Sequence, residues 1–159
     1  MSIHVIRHAD KEQGYFHTEN LRFNDQPING AGREKAQRLA AYFAHMPIDS
    51  IHVSEYRRTM QTIAPVAKMK RIEPIIDPRL NEIDVGDTEL MTVGEIQQRY
   101  PAYWKAWIER DHDFRIPGGE TGAEASRRVM SLVSSLDPAK HHILVTHEGL
   151  IRTMICAIL

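Results

Sequence analysis

Cysteine is almost missing from this sequence: Cys156 is the only one in 159 residues. A lone thiol excludes an intrachain disulfide framework and suits a reducing compartment. Its surroundings, "RTMICAIL", are apolar, so Cys156 is expected to be a small buried hydrophobe rather than a reactive thiol. Long hydrophobic runs are lacking too. No stretch approaches the roughly 20 apolar residues of a spanning helix, and the run in "MSIHVIRHAD" is too short for a signal-peptide core. Nor is there a surplus of charge, the formal net value being −1. That balance leaves no electrostatic footprint for nucleic acid or an anionic membrane, so neither is an expected partner. No repeat, low-complexity tract or linker divides the chain. A single cytoplasmic domain, residues 1–159, is the expectation, and 42% hydrophobic residues are enough for its core.

Against these absences, three short runs rich in Ile and Val read as strands: "IHVIR" (3–7), "SIHVS" (50–54) and "HILVTH" (142–147). A fourth, "RIEPIIDP" (71–78), contains Pro74, which predicts an edge position or a short strand starting after it. Between them, apolar residues recur at three and four over 32–43 and 55–69, the helical period. "TVGE" (92–95) and "TGAE" (121–124) have capping-box spacing, and Pro101 predicts the start of a further helix. A last helix is expected over 149–159. Strands alternating with helices imply a mainly parallel α/β sheet. Ligands of such sheets bind outside the carboxyl ends of the strands.

Three predicted strand ends carry cationic or imidazole groups. The first ends in Arg7 and His8, Arg57 and Arg58 open the helix after the second, and His147 tips the third. Parallel neighbouring strands would bring these groups to one pocket, with helix N-termini adding positive dipole ends. Such a pocket suits a phosphoryl group. Neutral imidazole attacks phosphorus, and phosphohistidine then hydrolyses in a second step. Guanidinium groups match the equatorial oxygens of the transferring group and stay charged. A departing alkoxide needs a proton, which Glu82 or Asp84 in "RLNEID" (79–84) could supply. Arginine supplies the charge stabilisation, so no metal or cofactor is required.

Taken in order, "IRHAD", "PINGAGREKA", "SEYRRTMQT", "RLNEIDVG", "PGGET" and "VTHEGLIR" resemble the histidine phosphatase superfamily, in its phosphoglycerate-mutase-like branch. The resemblance implies a three-layer α/β/α fold around a mainly parallel sheet. It implies that His8 becomes phosphorylated, that Arg7 and Arg58 bind phosphoryl oxygens, that Glu82 protonates the leaving group, and that His147 steadies the phosphoryl charge. Glu120, in "GGET", takes a supporting role. The implied activity is a phosphatase acting on a small-molecule phosphomonoester or a phosphoprotein; a homodimer is left open.

The chain departs from the family at several points. Ala9 replaces the usual glycine after the histidine, which matters if that residue needs positive φ. Neither Asn20 nor Asn24 aligns with the substrate loop of the mutases, and "GDTELMT" lacks the glycine of their W-E-G segment. Both favour phosphatase over a cofactor-dependent phosphoglycerate-type mutase, with a non-catalytic phospho-ligand binder as the third reading. Most relatives continue beyond the final helix, so the chain reads as either a compact member or a truncated one. Other histidines draw plainer expectations. His4 and His8 are four apart on a strand, not a helix, so they make no metal site. His52, His141 and His142 read as strand-flanking or surface groups. Arg57 is expected to point outward, and Trp104 and Trp107 to pack in the core or as a lid bordering the substrate.

Overall fold

The computed structural model describes residues 2–18, 21, 23–110 and 113–159; Asn20 lies outside the described residues. Along the chain run β1 (Ser2–Arg7), α1 (Gly30–Phe43), β2 (Ser50–Val53), α2 (Arg57–Lys70), β3 (Ile75–Ile76), α3 (Val93–Arg99), α4 (Pro101–Glu109), α5 (Gly122–Ser135), β4 (His141–Thr146) and α6 (Glu148–Ile158). The strands form one parallel sheet in the order β1-β4-β2-β3. The last strand in sequence therefore lies between the first two. β3 starts just after Pro74 and occupies an edge, where a missing N–H costs no ladder bond.

β4 is buried on both faces, and its alternation divides the core into two layers. Ile143 and Val145 join Ile51, Val53, Phe43, Ile63 and Val66 on the α1/α2 side. Leu144 joins Leu80, Val129, Leu132, Leu150 and Met154 on the α5/α6 side. A period of two on a doubly covered strand requires apolar residues at successive positions, which "HILVT" supplies. The result is the three-layer α/β/α arrangement expected from the sequence. Both predicted capping boxes form, at Thr92/Glu95 and Thr121/Glu124. Asn29 caps α1 by accepting a bond from Gly32 N at 2.9 Å. Among the described residues, no helix is long and apolar enough to cross a membrane.

Three expectations need correction. Cys156 is exposed, because α6 buries the face carrying Leu150 and Met154 and turns Cys156 away from it. His142 is a buried core residue. Its Nδ1 lies 2.8 Å from Ser50 Oγ and its Nε2 lies 3.0 Å from the Asp137 carbonyl, so both ring nitrogens have partners. Trp104 and Trp107 pack edge to face on α4, with centroids 5.2 Å apart. α4 has no fully buried residue, and neither indole lines the cavity described below.

Candidate active site

Register builds the site. Arg7 on β1 lies opposite Thr146 on β4, so His8 and His147 leave the sheet side by side. A bond from His8 N to the Thr146 carbonyl, 2.9 Å, continues the ladder past the strand end. The two imidazoles are 5.2 Å apart between centroids.

His8 Nδ1 is 2.8 Å from the Ala9 carbonyl. A carbonyl only accepts, so Nδ1 carries the proton and Nε2 presents its lone pair. Burial, with help from the charges of Arg58 and Arg7, holds His8 down at about 4; the bond to Ala9 works the other way. The ring is therefore neutral near pH 7, as a nucleophile must be. Ala9 causes no strain, for the only described non-glycine residues at positive φ are Arg71 and Arg110. Its N–H donates to Thr62 Oγ1 at 2.8 Å, and it packs in a small apolar cluster with Ile28 and Ala36.

His147 is fully buried behind the cavity wall. Its Nδ1 is 3.2 Å from Arg58 Nη2, and its Nε2 is 2.9 Å from Ser54 Oγ. Arginine only donates, so Nδ1 accepts and Nε2–H points to Ser54. Burial first, then the Arg58 charge, depresses His147 to about 2. Arg58 is 6% exposed, and its Nε has no partner among the described residues. Its Nη1 donates to the Asn24 carbonyl at 3.3 Å, and its guanidinium carbon lies 4.2 Å over the Tyr56 ring. Burial pushes the Tyr56 phenol up to about 12, so the ring stays neutral beneath the cation.

Glu82 sits at the N-terminus of α6. Its carboxylate accepts from Leu150 N at 3.0 Å, Gly149 N at 3.2 Å and Ile83 N at 3.0 Å. That approach requires glycine at 149: a Cβ there would come within 2.7 Å of Glu82 Oε1. Asp84, the other carboxylate of the segment, instead accepts from Gly86 N at 2.8 Å and stands outside the cavity lining. Glu120 does not reach the cavity either. It accepts from Asp84 N at 2.9 Å and pairs with Arg128 at 2.8 Å, while Arg128 donates to the Glu82 carbonyl at 3.1 Å. Glu120 and Arg128 thus anchor the backbone that carries Glu82.

Arg7, His8, Arg58, Glu82 and Gly149 line one cavity of about 360 Å³, together with Lys11, Tyr56, Glu89, Glu148 and Arg152. A wider hollow of about 920 Å³ borders Arg7 and His8 from the α1 side but lacks Arg58 and Glu82. The chemistry therefore belongs to the smaller cavity. Arg7 pairs with Glu148 at 2.9 Å and remains more than half exposed. Arg57 projects outward, yet it is not idle: its Nε donates to the buried Asp25 at 2.8 Å, and Asp25 also caps α2 through Arg57 N at 2.9 Å. Asp25, Tyr56, Glu148 and Arg128 escaped the sequence reading. Only Arg128 left a signal, its place nearly two turns into the helix after "GGET". Among the described residues no cluster of His, Cys, Asp and Glu has the arrangement to hold a metal ion.

The chain is similar to phosphoserine phosphatase 1 of Hydrogenobacter thermophilus, at 29% identity over 98% of this chain and 74% of the relative. It is also similar to a probable phosphoglycerate mutase of Proteus mirabilis, at 29% identity over 92% of this chain and 69% of the relative. In structure it resembles the α-ribazole phosphatase of Shigella flexneri, with a TM-score of 0.80 and 25% identity over 99% of this chain and 79% of that one. The histidine phosphatase superfamily (branch 1) matches residues 3–159, and to that family the chain belongs.

Proposed function

We propose that this protein is a phosphatase that hydrolyses a small-molecule phosphomonoester through a phosphohistidine on His8. The observation that carries the reading is the His8–Ala9 bond at 2.8 Å, which orients a neutral ring with Nε2 available beside Arg58 and Glu82. Nε2 attacks phosphorus in line with the leaving oxygen. Arg58 and Arg7 hold the equatorial oxygens, where charge accumulates. His147 keeps Arg58 aimed through Nδ1. Glu82 protonates the departing alkoxide and then deprotonates the water that cleaves the P–N bond. The named activities of the relatives support phosphoester chemistry on small molecules. The near absence of cysteine supports a cytoplasmic setting.

The test is phosphate release from an aryl phosphate with EDTA present, for the wild type and His8→Ala. Wild-type turnover is expected, along with an acid-labile phosphoenzyme after quenching; the variant should lose both. Full activity in His8→Ala would sink the mechanism. Rapid formation of a product with a relocated phosphate, ahead of free phosphate, would favour a mutase instead.

A further inference from the structure

A three-membered ion network sits in the cavity wall. Glu148 Oε2 is 2.9 Å from Arg7 Nη1, and its Oε1 is 2.7 Å from Arg152 Nη2. All three side chains line the cavity. One carboxylate therefore spans the last residue of β1, just before the nucleophile, and an arginine one turn along α6.

Among the described residues, an entering dianion meets four lining cations: Arg7, Lys11, Arg58 and Arg152. Among the described residues, the Arg58 side chain donates to the neutral His147 and the Asn24 carbonyl, and Lys11 to the neutral amide oxygen of Gln26 at 3.2 Å. Neither forms a salt bridge among the described residues; the carboxylates of Glu82 and Glu89 act on both at longer range. Arg7 and Arg152 already share a carboxylate, and two further carboxylates, Glu82 and Glu89, line the cavity. Arg58 and Lys11, with part of Arg7, suffice for a phosphoryl group. A second anionic group on the alcohol portion would find Arg152 neutralised and Glu148 repelling it.

We propose that Glu148 is a specificity residue that selects phosphomonoesters whose alcohol portion carries no second anionic group near the ester, against carboxylate-bearing and bisphosphate esters. The inference rests on the phosphatase reading above. It accounts for a cavity with four cations that nevertheless carries little net positive charge. Glu148 is half exposed, so its repulsion is partly screened, and an effect of roughly fivefold is the expected scale.

The experiment compares kcat/KM for glycerol 3-phosphate and 3-phosphoglycerate, which share a carbon chain and differ in the carboxylate. Wild type, Glu148→Gln and Arg152→Gln are assayed, with calorimetric titration of inorganic phosphate alongside. In Glu148→Gln the ratio of carboxylate to neutral ester should rise ~5-fold, and phosphate should bind several-fold more tightly. In Arg152→Gln, where Glu148 loses one of its two cations, the ratio should fall. A ratio unchanged in Glu148→Gln, the same direction in both variants, or weaker phosphate binding in Glu148→Gln would each overturn the proposal. Wild type that hydrolyses neither ester nor an aryl phosphate would count against the phosphatase reading, and the phosphate titrations would still decide the role of Glu148.

Discussion

Ser54 Oγ lies 2.9 Å from Nε2 of His147, and this buried contact decides which nitrogen of that ring faces Arg58. Thr59 Oγ1 donates to the Tyr56 carbonyl at 2.7 Å and sits 3.0 Å from Ser54 Oγ. Ser54 can therefore donate to Thr59 and accept from His147. Ser54→Ala should leave Nε2–H buried without an acceptor, at a cost of about 1–3 kcal/mol. Thermal denaturation should show a Tm lower by roughly 3–8 °C. Because Nδ1 then loses its fixed lone pair toward Arg58, KM for an aryl phosphate should rise, and Ser54→Thr should restore it. A normal KM in Ser54→Ala would detach Ser54 from the site.

Gly149 tests the seat of Glu82. A methyl group at 149 would press on Glu82 Oε1, so Gly149→Ala should displace the carboxylate while leaving His8 in place. Read as kcat/KM, which reports formation of the phosphoenzyme and not its hydrolysis, the loss should be largest for alkyl phosphates, which need a proton on the leaving oxygen, and small for nitrophenyl phosphate. Glu82→Gln should show the same leaving-group pattern, with ~10²–10⁴-fold lower kcat/KM on alkyl esters. A uniform loss across leaving groups would remove Glu82 from the acid role.

Stability should fall on the acid side, and His147 is a main cause. Its folded value of about 2 lies below the ordinary histidine value of 6.5, so below pH 6.5 the unfolded chain binds a proton that the native state refuses. Stability thus rises with pH through this window and is level above it. At pH 5 the deficit from this residue is about 2 kcal/mol. Urea melts at pH 7 and pH 5 should show the drop. In His147→Asn the difference between the two pH values should shrink; an unchanged slope would assign the acid sensitivity elsewhere.

Glu120→Gln should act at a distance. Losing its charge weakens the hold on Arg128, and Arg128 bonds the carbonyls of Arg79 and Glu82 at 2.7 and 3.1 Å. Because that segment carries Glu82, kcat on alkyl phosphates should fall roughly tenfold, while the KM for aryl phosphate stays near wild type. Arg128→Lys, which cannot reproduce the fork, should give the same split. A rise in KM without loss of kcat would place the network at substrate binding instead.

Strand ends were the most legible part of the molecule. Runs such as "HILVTH" announce a buried strand by composition, and the polar residues that interrupt them mark where the sheet meets solvent. Parallel pairing then places His8 beside His147 without further information. Contacts made by irregular segments were opaque. Asp25 reaches the N-terminus of α2 from a loop with no period to read, and nothing local says that Tyr56 lies under Arg58. Cys156 is exposed although its neighbours are apolar, because the last turns of α6, "MICAI", are apolar on every side and their composition does not say which side faces the core. His142 was misread for a related reason: a histidine is buried readily when both ring nitrogens find partners, and those partners come from β2 and the turn after α5.

Because β4 is the final strand yet sits between β1 and β2, the two imidazoles are separated by most of the chain until that strand docks. Closing so long a loop is slow and comes late in folding. A nascent chain, or one trapped with β4 undocked, can hold helices and a partial core while possessing no phosphate pocket. Recovery of phosphate binding during refolding should therefore lag behind recovery of helix content, which makes the site a reporter of completed folding.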